Sequence, residues 1–213
     1  MNLQSFEFNL FGEKTYVVWD PVSHEGAVID PGMSSESERR TFADFITRND
    51  IRLKYLLYTH LHIDHTFGHE FIRDTYGLEA MAHAADAPLG QARDAQSQMF
   101  RLRMPAPQPL RISRQLADNE VIPLGDETLH VICVPGHSAG SVAYYCPESG
   151  FVITGDALFR SGIGRTDLPG GDHRQLIDSI RRRLFTLPPE TKVYPGHGVP
   201  TTIGEEERTN PYV

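Results

Sequence analysis

The stretch Thr59-His60-Leu61-His62-Ile63-Asp64-His65 brings four potential metal ligands into the six residues 60–65. It follows directly on residues 53–58, a nearly continuous apolar run with the pattern of a strand buried on both faces. Such a strand needs helices or a second sheet over it, so this segment predicts a layered fold with a chemical site at a strand end. Side chains two apart at the end of a strand share a side, which lets His60 and His62 chelate one ion. Asp64 and His65 sit where the chain turns into the next helix and reach a second. Imidazole and carboxylate donors without thiolate suit zinc, iron or manganese.

Further along, single candidate ligands recur in Pro135-Gly136-His137, Thr154-Gly155-Asp156 and Pro195-Gly196-His197, each just after a predicted strand. Glycine beside a ligand permits a sharp turn and close backbone approach. Alone, a Pro-Gly-His is a turn with a solvated histidine and a Gly-Asp is an ordinary loop. Together with residues 60–65 they make a set of seven: His60, His62, Asp64, His65, His137, Asp156 and His197. That is the number two ions share if Asp156 bridges them. His24, His69, His83, His130 and His173 stand outside the set: His24 and His173 lie in turns, His130 in a strand, and His69 one helical turn past the cluster.

Around this set, strands are expected at 6–10, 16–19, 27–29, 80–82, 121–123, 129–134, 141–145, 151–154 and 192–194 from short β-branched and aromatic runs. Ser35-Glu36-Ser37-Glu38 is a capping box for a helix running to about residue 49. Phe67, Phe71 and Ile72 mark a helix over 66–76 that Gly77 stops. Residues 84–98 are predicted helical, 104–109 a loop because of its three prolines, and Asp172 caps a helix carrying Leu176, Ile180 and Leu184. Strands, helix, strand, helix, several strands, helix, strand implies two packed sheets with helices outside. A doubly wound parallel sheet is disfavoured by the short connections at 12–14 and 138–140, since parallel neighbours need long crossovers. No linker or repeat divides residues 1–213, which are read as one domain.

Composition closes off other functions. Lys and Arg number 20 against 28 Asp and Glu, a net charge of -8 that argues against nucleic acid. No apolar run is long enough to span a membrane and no leader pattern opens the chain, so a cytoplasmic protein is expected. Cys133 and Cys146 fit no metal or redox spacing and are expected to be buried reduced thiols.

The ordered set from Thr59-His60-x-His62-x-Asp64-His65 through Gly136-His137, Gly155-Asp156 and Gly196-His197 resembles the metallo-β-lactamase superfamily across nearly the whole chain. Ile29-Asp30-Pro31-Gly32 is similar to the family's leading motif. The resemblance implies an α/β fold, a four-layer αββα sandwich with a binuclear site along one edge. It implies two divalent metal ions, zinc first with iron or manganese as alternatives. His60, His62 and His137 would hold one, Asp64, His65 and His197 the other, with Asp156 bridging and Asp30 orienting a ligand imidazole. Residues 155–159 and 162–167, GDALF and GIGRTD, resemble the glyoxalase II and persulfide dioxygenase branch, above all the short single-domain bacterial glyoxalase II-like proteins. Full-length glyoxalase II adds a C-terminal helical region with cationic glutathione contacts; here residues 198–213 follow the last ligand.

The expected reaction is hydrolysis of a small anionic thioester of the S-acylglutathione kind by a metal-bridging hydroxide, which Asp64 helps to orient. A thiolate departs without the strong acid an amine requires. Arg165 is the candidate partner for an anionic part of the substrate. No nucleic acid or membrane partner is expected, and the chain is read as a monomer or small homo-oligomer. The competing reading is a mononuclear iron persulfide dioxygenase using His60, His137 and Asp156 as a facial triad.

Overall fold

The computed structural model describes residues 1–102 and 106–213. The first sheet contains β1 (Asn2–Phe8), β2 (Glu13–Trp19), β3 (Glu25–Ile29), β4 (Arg52–Leu57), β5 (Ala80–His83) and β6 (Arg114–Leu116), in that spatial order. β1 to β3 form an antiparallel meander, whereas β3 to β6 are parallel neighbours joined by crossovers. The second sheet begins with β7 (Val121–Leu124), β8 (Glu127–Cys133), β9 (Val142–Cys146) and β10 (Phe151–Gly155). A small hairpin, β11 (Leu158–Phe159) and β12 (Gly162–Ile163), follows, and β13 (Lys192–Pro195) and β14 (Thr201–Thr202) complete the sheet in the order β14-β13-β10-β9-β8-β7.

Period-two alternation sorts the apolar side chains into three cores. Tyr16, Val18, Ala27, Ile29 and Leu57 of the first sheet face Ile122, Leu124, Leu129, Val131, Val142 and Tyr144 of the second. Their neighbours Val17, Val28 and Leu56 point to the opposite face and pack on Phe42 and Ile46 of α1 (Glu36–Arg48) and Ile72 of α2 (His69–Tyr76). The outer face of the second sheet, through Ile132, Ala143, Val152 and Val193, packs on Leu176 of α5 (His173–Ser179) and on Ile180 and Leu184 of the turn that extends it. Helix, sheet, sheet, helix is the αββα sandwich expected, and the antiparallel pairs in both sheets exclude a doubly wound sheet.

Local signals act as read at several points. Ser35 Oγ accepts from Glu38 N while Glu38 Oε2 accepts from Ser35 N at 2.8 Å, the capping box of α1. Gly77 ends α2 at φ +68, and the Asp172 side chain accepts from Gln175 N to start α5.

Other expectations change. Only the end of β4 is enclosed on both sides, since Arg52 and Lys54 are exposed at its start. The helix expected from Thr66 starts at His69, because Ile63–His65 form a tight turn that bends the chain toward the site. The helix expected over 84–98 is a turn (Ala84–Asp86) followed by α3 (Ala87–Gln91) and α4 (Arg93–Met99), broken at Ala92. Gly90 lies against the Leu110 carbonyl, where a Cβ would come within 2.6 Å, so packing sets that path more than helix propensity does. Of the loop expected over 104–109, Met104 and Pro105 lie outside the described residues, and 106–109 has neither helix nor strand. β6, the β11–β12 hairpin, β14 and α6 (Ile203–Thr209) were not anticipated; the Thr202 side chain capping Glu205 N was a readable start signal for α6. Cys133 and Cys146 are free, Cys133 only half-buried. No helix among the described residues is long and apolar enough to cross a membrane.

Candidate metal centre

The site lies along one edge of the sandwich, where loops from both sheets meet. β4 delivers Thr59 and the His60 to His65 turn, β8 is followed by His137, β10 by Asp156 and β13 by His197. Close approach of these loops requires glycine. A Cβ on Gly196 would lie 2.1 Å from Asp156 Oδ1, and Gly155, at φ +50, would place one 2.3 Å from Thr59 Oγ1.

All seven expected ligands come together here. His60, His62 and His137 form one group of donors and Asp64, His65 and His197 another, each within 4.8 Å of one another. His137 Nε2 is 3.2 Å from His60 Nε2 and 2.9 Å from His62 Nδ1. In the second group His197 Nε2 is 3.2 Å from Asp64 Oδ2. Asp156 stands between them, with Oδ2 3.5 Å from both His137 Nε2 and His197 Nε2 and Oδ1 3.4 Å from His65 Nε2.

The hydrogen bonds behind the imidazoles decide what these distances mean, because they assign the tautomers. His137 Nδ1 donates to the Arg165 carbonyl at 2.7 Å and His197 Nδ1 to the Phe11 carbonyl at 3.1 Å. His65 Nδ1 donates to Asp30 Oδ2 at 3.1 Å. Thr59 Oγ1 gives its own proton to Asp30 Oδ2, so it accepts from His60 Nδ1 at 3.0 Å. In all four rings Nδ1 thereby faces the protein and Nε2 is the nitrogen turned inward. His137 Nε2 thus meets ring nitrogens of both His60 and His62, a convergence of three donors that a cation between them would satisfy together. Four-coordinate zinc with bonds of about 2.0–2.1 Å spaces its ligands about 3.3 Å apart, which these separations match. His65 Nε2 and Asp156 Oδ1 are also buried without a hydrogen-bond partner. The donor set therefore fits two divalent cations.

Asp30 is the orienting group its motif suggested. It accepts from Thr59 N at 2.7 Å, from Thr59 Oγ1 and from His65 Nδ1, and it is held at φ +51, a strained backbone for a non-glycine residue. Burial pushes the His60 imidazole well below its usual range and His62 to about 3, with neighbouring histidines adding to the effect. Burial acts the same way on His65, but the charges of Asp64 and Asp156 outweigh it and hold that ring well above its usual range. For Asp156, burial opposes ionisation, yet His65, His137 and His197 keep the carboxylate charged.

Two positioning groups carried no recognised sequence signal. Asp86, 1% exposed, accepts from Leu61 N at 2.9 Å, Ser138 Oγ at 2.9 Å and Gly140 N at 2.6 Å, tying the His60–His62 turn to the His137 loop. The other is main chain: the carbonyls of Phe11 and Arg165, which sequence cannot place. Asp86→Ala leaves the Leu61 and Gly140 amides without this acceptor and Ser138 Oγ with Ser141 Oγ alone, and is expected to cost about 3 kcal/mol. The melting temperature should fall by about 6–12 °C. A fall under about 2 °C in thermal unfolding would show that the two loops hold without it.

Arg165 lines the cleft with Phe11, Phe100, Leu168 and the candidate ligands His62, Asp64, His137, Asp156 and His197, around a volume of about 180 Å³. Its guanidinium is half-exposed and pairs with Asp167 through two contacts of 2.7 Å. His69, left out of the set, is hydrogen-bonded to the Tyr58 hydroxyl at 3.0 Å and belongs to neither donor group.

A two-sheet sandwich with a histidine and aspartate metal-binding site at its edge defines a class of metal-dependent hydrolases. The chain belongs to the metallo-beta-lactamase superfamily, whose profile matches residues 9–197. It is 35% identical over 215 residues to "Hydroxyacylglutathione hydrolase GloC" of Haemophilus influenzae, covering 100% of this chain and 98% of the relative. Among solved structures it is similar to the BLEG-1 B3 metallo-beta-lactamase, with a TM-score of 0.88, 30% identity and 99% of each chain covered. It is likewise similar to TTHA1623 in a di-iron-bound form, with a TM-score of 0.86, 35% identity and 99% and 100% of the two chains covered.

Proposed function

We propose that this metallo-hydrolase-family chain is a thioester hydrolase acting on small anionic S-acyl compounds of the S-acylglutathione or S-lactoylglutathione kind. His60, His62 and His137 hold one divalent cation, Asp64, His65 and His197 the other, and Asp156 is shared. When bound, such cations lower the pKa of water from 15.7 toward about 7 and polarise a carbonyl. Zinc is our first assignment, with iron the alternative that the di-iron-bound relative supports.

The chain's own residues complete the reaction. Asp64 lines the cleft and is assigned to orient the attacking water. Phe11 and Phe100, with ring centroids 5.7 Å apart, keep the cleft's wall apolar. The observation that carries the proposal is the lining itself: apart from the candidate ligands, Arg165 is the one polar side chain in it among the described residues. Beyond those candidate ligands, the described lining holds no acid to protonate an amine. A thiolate, with a parent pKa of about 8.5, leaves without one. The same lining disfavours lactam hydrolysis, the activity named for the BLEG-1 relative.

The test is thiol release from S-lactoylglutathione and S-acetylglutathione by protein loaded separately with zinc, iron and manganese, beside β-lactam turnover. Metal content of protein from its native source identifies the ion. Turnover of β-lactams with no thioester cleavage under any metal would overturn the proposal. We further place the protein in the cytoplasm, as a monomer or small homo-oligomer.

Arg165 is assigned to an anionic part of the substrate. Because its guanidinium is more than half exposed and already paired with Asp167, its contribution is discounted to about 1 kcal/mol. Arg165→Ala should then raise KM for anionic thioesters by about fivefold and leave metal content unchanged. An equal rise for neutral thioesters would remove the electrostatic role.

A further inference from the structure

Beside the metal cleft lies a larger cavity of about 330 Å³, and His62, Phe100 and Leu168 line both. One wall is built by Ala85, Pro88, Leu89, Ala92, Ala95 and Met99, whose spacing of three and four residues puts them along one side of α3 and α4. Ala139 and the 168–170 loop form the opposite wall. Alanine at three of the stripe positions leaves room between the walls. No lysine or arginine lines the cavity among the described residues.

Its polar members besides His62 are spent on the protein. Asp86 accepts from Leu61 N, Ser138 Oγ and Gly140 N. The Gln96 amide accepts from Ile63 N at 3.0 Å and donates to the Leu89 carbonyl at 2.9 Å. What the cavity offers a ligand is therefore apolar surface. The cleft at the metal ligands, at about 180 Å³, has room for a reacting carbonyl and little more. Arg165 borders the cleft and not the cavity. A charged arm is accordingly favoured on the Arg165 side, and an apolar arm in the cavity.

We infer that this cavity is an acyl-chain subsite and that the preferred substrates are thioesters of apolar acyl groups of about six to eight carbons. The inference rests on the thioester reading above. Its size argument is that roughly 150 Å³ suffices for a benzene ring, so about twice that volume accommodates a medium-length chain.

The test uses the zinc-loaded protein and the series acetyl-, butanoyl-, hexanoyl- and octanoylglutathione, in which only the acyl group changes. Each methylene entering the cavity is expected to raise kcat/KM about fourfold, the equivalent of about 0.8 kcal/mol per buried CH₂. The rise from acetyl to hexanoyl is then about 10²-fold, levelling near eight carbons. Ala95→Trp, a substitution at an exposed helix position on the cavity wall, should lower the octanoyl-to-acetyl ratio at least tenfold. Calorimetric titration with butanoate and octanoate gives a second readout, since the carboxylate is common to both. Octanoate should bind about 10²-fold tighter, and Ala95→Trp should erase the difference. A flat chain-length profile with equal affinities overturns the subsite, as does a profile that follows the length of the thiol arm in a thiol-varied series. Octanoate binding without cleavage of any thioester supports the subsite and overturns the thioester reading.

Discussion

Asp156→Ala should retain no more than one metal ion per chain and lose about 10³-fold or more in kcat/KM. Its carboxylate lies within 3.5 Å of donors from both sets, His137 on one side and His65 and His197 on the other. Removing it separates the sets and leaves three inward ring nitrogens with one negative charge fewer to offset a cation. Charge stabilisation of this kind contributes several kcal/mol to a transition state, and each 1.4 kcal/mol is tenfold in rate. Asp156→Asn keeps the shape and removes the charge, so a similar loss in both variants identifies charge as the cause. Elemental analysis showing two ions per folded Asp156→Ala chain would remove Asp156 from the site.

Asp64→Ala and His65→Ala should each abolish thioester hydrolysis. They fall in the set that a mononuclear iron dioxygenase built on His60, His137 and Asp156 does not use, and so separate the two reactions. His65 is the more informative position. Its ring is anchored from behind by Asp30, and its loss also leaves the Asp30 carboxylate with one buried donor fewer. The unmodified iron-loaded protein is expected to consume no oxygen with glutathione persulfide. Rapid oxygen uptake with sulfite as product and one iron per chain, persisting in the Asp64 variant, would replace the hydrolase with the dioxygenase.

The dense cluster at 60–65 and the three glycine-flanked singles were readable because their spacing leaves few alternatives: loops after strands of packed sheets converge at one edge. Asp30 was readable through its motif. Asp86 was not, since a lone aspartate after Ala84-Ala85 resembles any helix start, and its value lies in three donors contributed by residues far away in sequence. The Arg165 and Phe11 carbonyls belong to every residue alike and have no sequence signature. Arg165 contributes in two ways, of which only the side chain was legible: its main-chain carbonyl also meets a candidate ligand. In the fold, strands with β-branched alternation were legible to within a few residues. The two-residue strands and the break at Ala92 depend on tertiary contacts that no local window contains.

The seven donors come from opposite sheets: four follow β4, and three follow β8, β10 and β13. A cation held there fastens one sheet's edge to the other's, so metal binding and folding are thermodynamically linked. Each tenfold excess of free metal over its dissociation constant adds about 1.4 kcal/mol to the free energy of unfolding. His62 Nε2, His65 Nε2 and Asp156 Oδ1, buried without hydrogen-bond partners, make the same edge the least favourable place to leave empty. Chelation should therefore loosen the molecule from that edge first, with amide exchange rising in residues 59–65 and 135–138 before it rises in the strands between the sheets.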